Sequence, residues 1–270
     1  MKPKRVDLFD STYGNFSDRV HAAIRAETFG VDIGQNSWTT GDEYDRFIGW
    51  LGLARGNHVL EVASGSGGPA LHLARRAESR VTGIDANEIG VATATAMVAQ
   101  VGLADRVDFR VGDANAALPF EADSFDALLC IDSMNHFPDR LSVFQEWRRV
   151  LRPGGRAVFT DPVVITGPVT NDELALRSNI GLFLFAPPGV NERFIAEAGL
   201  RLIEQEDVTA NAALVSGRWR DAREHHRDAL LGIEGEERFA GLQAFFAMVH
   251  RLTSERRLSR IAYRVAKPEL

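Results

Sequence analysis

The chain contains one cysteine among 270 residues, Cys130, and it falls in an apolar run typical of a core strand. Disulfides and a cysteine-based metal site are therefore excluded, because each needs several cysteines. The sequence also lacks an apolar run long enough to cross a membrane; its most apolar stretch, residues 180–186, ends at Pro187. We expect a cytoplasmic protein with no metal and no membrane partner.

The chain also has no excess of positive charge. The 31 lysines and arginines are outnumbered by 37 acidic residues, and the formal net charge is −6. A broad surface for nucleic-acid phosphates is not indicated, and no Asn-Pro-Pro-Tyr-like motif for base flipping follows the fourth predicted strand. We expect a small molecule as partner and no nucleic acid, while the sequence leaves a homodimer open.

A strand, a glycine turn and a helix follow one another in residues 57–70. Glycines let a ligand approach the backbone, and the start of the helix offers free N–H groups and a positive dipole end. This pattern predicts a nucleotide-like ligand above the end of the strand. Gly65, Gly67 and Ala70, with Asp85 20 residues after Gly65, also fit a dinucleotide fingerprint, which favours a nicotinamide cofactor.

Acidic residues at two further strand ends favour a different cofactor. Glu61 lies inside the strand before the glycine turn, and a carboxylate buried there must be paired or must bind something. Residues 107–111 alternate like a strand and are followed by Asp113. With Asp85, three acids are thus expected at the carboxyl ends of three neighbouring strands.

These motifs resemble those of class I S-adenosylmethionine-dependent methyltransferases. The resemblance covers most of the chain and is closest to small-molecule enzymes acting on sugars, natural products or amines. Ala63 and Ser64 stand where that family commonly has glycine and often cysteine. The six matching stretches, in order, are residues 59–68, 81–85, 111–114, 118–126, 132–139 and 151–155.

The resemblance implies an α/β fold: a Rossmann-like, mostly parallel sheet of seven strands, the last antiparallel, with helices on both faces. Strands that alternate with helices along the chain point to the same architecture. We expect a single domain, residues 1–270. Its parts would be an N-terminal helical cap (1–50), a cofactor-binding core (51–208), a helical lid (209–256) and the last strand with the tail (257–270).

The resemblance also implies a role for each acid. Asp85 would accept the two ribose hydroxyls, Asp113 would accept from the adenine amino group beside the Ala114 N–H, and Glu61 would hold the amino-acid end or fix the glycine turn. The cap-loop residues Gln35, Asn36 and Trp38 would cover the methionine end, or Trp38 would simply pack on the core. The expected cofactor contacts are Glu61, Ala63, Gly65, Gly67, Asp85, Ala86, Asp113, Ala114, Ile131, Gln35 and Trp38.

Two further residues are expected to be catalytic. His136 follows the fourth strand, and histidine suits removal of a proton at neutral pH. Asp161 ends the neighbouring fifth strand and would orient or charge-stabilise that imidazole. In the sugar and natural-product O-methyltransferases that the chain resembles, a histidine and an aspartate occupy matching places and assist deprotonation. The alternatives are structural: His136 as a cap of the next helix and Asp161 as a turn residue.

The first half of the lid is rich in basic residues between Arg218 and Arg227. An anionic substrate is one explanation, and a solvated helix face balanced by nearby acids is the preferred one. His225 and His226 are adjacent on a predicted helix, so they should point in different directions and make no metal site.

The sequence therefore predicts a methyltransferase that uses S-adenosylmethionine and methylates an oxygen or nitrogen atom of a small molecule. C-methylation of a quinone-like acceptor is left open. A nicotinamide-dependent oxidoreductase is a second class, which gives Asp113 no role. A third is a regulator that binds the cofactor without catalysis, in which His136 and Asp161 are dispensable.

Overall fold

The computed structural model describes residues 7–269, so the first six residues of the expected cap and Leu270 lie outside the described residues. The strands within this range are β1 (His58–Val62), β2 (Arg80–Asp85), β3 (Val107–Val111), β4 (Phe125–Cys130), β5 (Leu151–Ile165), β6 (Arg201–Asp207) and β7 (Leu258–Ala266). The helices are α1 (Phe9–Gly14), α2 (Arg19–Phe29), α3 (Gly41–Leu51), α4 (Gly68–Arg76), α5 (Glu88–Val101), α6 (Arg140–Val150), α7 (Asn171–Arg177), α8 (Val190–Glu197), α9 (Thr209–His225) and α10 (Arg227–Ser254).

The strands form one sheet in the order β3-β2-β1-β4-β5-β7-β6. Neighbouring strands from β3 to β5 are parallel, and β7 runs antiparallel to both β5 and β6. Apolar clusters cover both faces of the sheet, as the continuous apolar sequence of β4 requires. The predicted fold class is confirmed.

Local sequence signals set several element ends. Helix α5 begins at Glu88 because the Asn87 side chain accepts from the Gly90 N–H over 2.8 Å, and it ends where Gly102 takes the left-handed conformation. Strand β5 is long because Leu151 already pairs with Phe125 across a bulge, and the strand continues to Ile165 along β7.

The cap and the lid pack against each other through an apolar cluster separate from the sheet core. At its centre Trp219 of α9 stacks on Phe246 of α10 with ring centroids 4.8 Å apart, and it also meets the edge of Phe29 of α2 at 5.5 Å. The lid is therefore fixed to the cap as well as to the sheet. In the part of the chain that the structure describes, no helix has both the length and the apolar character to cross a membrane.

Candidate functional site

A cavity of about 410 Å³ lies at the carboxyl ends of β1, β2 and β4, where the strand order reverses. Open α/β sheets bind ligands at this position. The cap and lid contribute part of its wall, including Tyr13, Trp219 and Phe245. The predicted cofactor residues that line the cavity are Glu61, Ala63, Gly65, Asp85, Ala86, Asp113, Ala114, Ile131 and Trp38.

The glycine turn after β1 has three left-handed residues, of which Ala63 (φ 58°) is not a glycine. A Cβ on Gly65 would lie 2.8 Å from the Tyr13 hydroxyl, so only glycine fits at this edge of the cavity. Gly67 is absent from the described cavity lining, contrary to the expectation of a cofactor contact. A Cβ there would lie 2.6 Å from Ala94 and from Phe109, so Gly67 permits close packing of the turn on its neighbours.

Glu61 is buried beneath the cavity with only one of its carboxylate oxygens hydrogen-bonded. The Tyr44 hydroxyl donates to Oε1 over 2.9 Å, and Oε2 is buried without a partner in the described structure. Burial raises the pKa of Glu61 to about 8, although the Tyr44 hydrogen bond opposes the shift. An unpaired acceptor at the cavity wall suits a cationic donor such as an amino group. The residues present therefore fit the amino-acid end of S-adenosylmethionine.

Asp85 ties the end of β2 to the glycine turn. Its Oδ2 accepts from the Gly65 N–H over 2.7 Å, and its Oδ1 accepts from the Asn87 N–H over 2.8 Å. Burial raises its pKa, and these two hydrogen bonds act in the opposite direction. Each oxygen keeps a free lone pair toward the cavity for a ligand hydroxyl. Asp113 is exposed at the cavity rim, and its Oδ1 accepts from the Asn115 N–H over 2.9 Å.

Gln35 does not line the cavity, which corrects its expected contact with the cofactor. Its side chain is turned into its own loop, where Oε1 accepts from the Ile33 N–H over 2.9 Å and Nε2 donates to the Val31 carbonyl over 3.3 Å. The neighbouring Asn36 lines the cavity instead. Trp38 lines it too, and the Trp38 N–H donates to Asp132 over 2.7 Å.

His136 lines the cavity from the 3₁₀ turn Met134–His136 after β4. Its Nδ1 lies 2.7 Å from the Leu182 carbonyl oxygen, which can only accept, so Nδ1 carries the proton. Its Nε2 is then an acceptor, and Asn135 Nδ2 lies 3.2 Å from it. Burial lowers the pKa of His136, with Arg177 adding to the effect, so the imidazole is neutral at pH 7.

Asp161 is fully buried and has no hydrogen bond to His136 in the described structure, so it does not orient the imidazole as expected. Its Oδ2 accepts from Arg140 Nη1 over 2.6 Å and from Asn191 Nδ2 over 2.9 Å. The side chain therefore points toward α6 and α8, away from the cavity lining. Asp161 serves to pin these helices to β5, and the predicted catalytic pair is wrong in this respect.

Two cavity residues had no sequence motif to reveal them. Tyr13 of α1 lies over the glycine turn; burial raises its pKa, and the nearby Asp85 adds to the shift. Arg177 ends α7 and is 1% exposed. It is the last charged residue before the apolar stretch of residues 180–186. This position was the only feature of the sequence that could have indicated a cavity residue.

His225 and His226 converge, contrary to the prediction from a continuous helix. His225 ends α9 and α10 begins at Arg227, so the chain turns between the helices. Both imidazoles meet the exposed carboxylate of Glu27, with His225 Nδ1 3.0 Å from Oε2 and His226 Nε2 2.8 Å from Oε1. This contact joins the lid to α2 of the cap.

Residues 60–159 match the protein family described as "Methyltransferase domain". The chain is 32% identical over 220 residues to the methyltransferase GfsG of Streptomyces halstedii, covering 75% of this chain and 77% of that protein. It is 34% identical to the 27-O-demethylrifamycin SV methyltransferase of Amycolatopsis mediterranei, covering 61% of each. A phosphoethanolamine N-methyltransferase structure from Haemonchus contortus, complexed with S-adenosylhomocysteine, superposes with a TM-score of 0.80 at 20% identity, covering 97% of this chain and 61% of that one.

Proposed function

Because the chain belongs to the class I S-adenosylmethionine-dependent methyltransferases, we propose that it methylates an oxygen or nitrogen atom of a small-molecule acceptor. The nicotinamide alternative is wrong, since the family uses S-adenosylmethionine. The observation that carries the proposal is the state of His136, a neutral imidazole at the cavity wall whose Nδ1 carries the proton and whose Nε2 is the acceptor.

The cofactor would be held by residues at the ends of β1, β2 and β3. Glu61 Oε2 would accept from its amino group, Asp85 from the ribose hydroxyls and Asp113 from the adenine amino group. Bound S-adenosylmethionine supplies a methyl group on a positively charged sulfur, which keeps the electron pair of the broken bond when the acceptor takes the methyl. The protein must therefore align the acceptor and exclude water.

His136 would accept the proton that a hydroxyl or ammonium group loses as it is methylated. The hydrogen bond from Nδ1 to the Leu182 carbonyl fixes the ring and leaves Nε2 as the basic atom. The Asn135 amide contacts Nε2 at 3.2 Å and would yield this position to the acceptor. General bases of this kind contribute about a hundredfold to ten-thousandfold in rate.

C-methylation is the second candidate, favoured by the aromatic wall that Phe9, Trp38, Phe183, Trp219 and Phe245 give the cavity. Aromatic faces stabilise cations, including the carbocation that forms when an alkene is methylated. The buried cation Arg177 in the same wall argues against it, because two positive charges would repel each other in a site with little water.

The test compares His136→Asn with His250→Asn, a matched control. Like His136, His250 is half-buried and its Nδ1 bonds to a backbone carbonyl, that of Ala213 at 2.8 Å, but it lies outside the described cavity lining. Methylation of phenols, alcohols and amines would be followed by mass spectrometry, with the methylated atom located by NMR. We expect His136→Asn to lower kcat about a hundredfold or more without changing affinity for S-adenosylhomocysteine, and His250→Asn to keep full activity.

A new carbon–methyl bond in the product would instead establish C-methylation. The non-catalytic regulator would be favoured if wild type and His136→Asn both bind S-adenosylhomocysteine tightly and neither methylates any acceptor. The pH dependence gives a further criterion. Since the His136 pKa is lowered, protonation of this base should reduce kcat/KM only below pH 6.5, the ordinary histidine value.

A further inference from the structure

Arg177 is held rigidly in the cavity wall by the helix that it ends. A capping box between Thr170 and Glu173 begins α7. The Glu173 carboxylate also receives two hydrogen bonds from Arg257, each 2.8 Å long, which fasten the helix to the start of β7. The Arg177 side chain is 1% exposed and reaches the cavity. Its position is therefore set before any ligand binds.

The Arg177 guanidinium has no hydrogen bond and no ion pair among the described residues, and its Nη1 is buried without a partner. Its contacts are the faces of three aromatic rings, at 4.7 Å from the centre of Phe183, 5.3 Å from Phe245 and 5.8 Å from Trp38. Aromatic faces attract a cation but accept none of its five N–H groups in the way that oxygen does.

The nearest carboxylates are already engaged by other groups. Asp132 accepts from Arg260, and Asp161 accepts from Arg140. Both attract Arg177 from a distance, yet burial dominates and lowers the pKa of Arg177 to about 9. The side chain is still protonated at pH 7. A buried charge without hydrogen bonds is costly to the folded protein, and it persists where a ligand uses it.

We propose that Arg177 binds an anionic group of the acceptor, a carboxylate or a phosphate, so that the substrates of this enzyme are small anions. The inference rests on the proposed function and names its substrate class. A guanidinium presents a planar fork of donors that matches two oxygens of either group. An acceptor with a negative charge would also offset the charges of Arg177 and of the sulfonium in the same cavity.

The surroundings of Arg177 place this anion at the acceptor end of the cavity. Its aromatic neighbours Trp38 and Phe245 belong to the cap and lid, whereas the acids proposed to hold the cofactor follow β1, β2 and β3. Phe183 also touches His136, with ring centroids 4.9 Å apart. One aromatic ring thus separates the anion site from the proposed base, and an acceptor bound by Arg177 would extend toward His136.

The experiment measures binding of benzoate, phenyl phosphate and the neutral isostere benzamide by the fluorescence of Trp38 and Trp219, which line the cavity. It would be run on the full chain with and without saturating S-adenosylhomocysteine. We expect benzoate or phenyl phosphate to bind about tenfold to a hundredfold more tightly than benzamide, and Arg177→Met to abolish this difference. The comparison of the two anions tells a carboxylate site from a phosphate site.

Arg223→Met is the matched control. Arg223 is also buried and lies over two aromatic rings, but it is paired with Glu234. Arg223→Met should lower the melting temperature, since it removes the closer of the two arginines that pair with Glu234 and leaves Arg238 at 3.8 Å. Arg177→Met should raise it in the ligand-free protein, because it removes an unpaired buried charge. A purely structural role predicts a lower melting temperature for both variants.

Equal affinity of the wild-type protein for benzoate and benzamide would overturn the anion site, even if S-adenosylhomocysteine binds normally. Loss of S-adenosylhomocysteine binding in Arg177→Met, with adenosine binding intact, would also overturn it by assigning Arg177 to the cofactor carboxylate. Failure of the wild-type protein to bind S-adenosylhomocysteine would instead count against the proposed function, and the benzoate comparison without cofactor would still decide the anion site.

Discussion

Arg260 and Asp132, 128 residues apart in the sequence, form a buried ion pair in which Arg260 Nε donates to Asp132 Oδ1 over 2.6 Å. The same guanidinium donates to Glu43 over 2.6 Å and to the Thr39 hydroxyl over 2.5 Å. Asp132 in turn accepts from the Trp38 N–H. One arginine of β7 therefore connects the end of β4 to the cap, at the floor of the cavity.

Arg260→Met should be strongly destabilising. It leaves the Asp132 carboxylate buried without its cation and leaves Glu43 with the more distant Arg46, 3.7 Å away. Removal of one partner of a buried pair costs about 3–5 kcal/mol. Urea unfolding would measure the loss. Arg264→Met on the same strand is the control, because among the described residues Arg264 forms an ion pair only with Glu204, near the surface. Its loss should change stability by about 1 kcal/mol or less. Equal losses in the two variants would contradict this role of Arg260.

Ala63→Gly should stabilise the protein. Ala63 has a left-handed backbone with φ 58°, a conformation that costs an L-residue about 1–2 kcal/mol and costs glycine little. The flexibility of glycine in the unfolded chain cancels part of the gain, so we expect an increase of about 1 kcal/mol in the free energy of unfolding. Ala96→Gly, exposed within α5, should lower it by about 1 kcal/mol. A loss of stability in Ala63→Gly would show that the alanine methyl has a packing role.

Glu61→Gln should change how the stability of the ligand-free protein depends on pH. The folded-state pKa of Glu61 is raised from 4.5 to about 8, so folding favours the protonated form. The contribution of protonated Glu61 to the free energy of unfolding is complete below pH 4.5 and is lost as pH rises to about 8. Relative to wild type, Glu61→Gln should gain stability as pH rises across this window. The gain should reach a few kcal/mol, at about 1.4 kcal/mol for each unit of the pKa shift.

Thermal and urea unfolding between pH 4.5 and pH 9 would reveal this difference. Glu236→Gln, exposed on the lid, is the control and should follow the wild-type profile. Parallel profiles for Glu61→Gln and wild type would mean that Glu61 is ionised in the folded protein and that a further group pairs with its carboxylate.

The sheet and the cofactor end of the cavity could be predicted because their information is local. Glycines and acids at the ends of consecutive strands are close in sequence to the turns that they form, and parallel strands bring those ends together. Asp161 shows the limit of such reasoning. Its place at a strand end was clear, but its side chain turns toward Arg140 and Asn191, which are distant in sequence.

The acceptor end could not be predicted because it is assembled from separate parts of the chain. Trp38 of the cap loop, Arg177 of α7 and Phe245 of α10 meet only when the cap packs on the lid. In the cap loop, Gln35, Asn36 and Trp38 were all expected near the cofactor, but only Asn36 and Trp38 of these three line the described cavity. Loops have no regular period from which the direction of a side chain can be read.

The cofactor site is the central claim, and calorimetric titration with S-adenosylhomocysteine and with NADH tests it most directly. The proteins would be wild type, Asp85→Asn, Asp113→Asn and the control Asp105→Asn. Asp105 is an exposed acid in the turn between α5 and β3, away from the described cavity lining. We predict micromolar binding of S-adenosylhomocysteine, weakened about tenfold or more in the first two variants and unchanged in the control. Binding of NADH, or binding of S-adenosylhomocysteine that is indifferent to both Asp85→Asn and Asp113→Asn, would contradict the account.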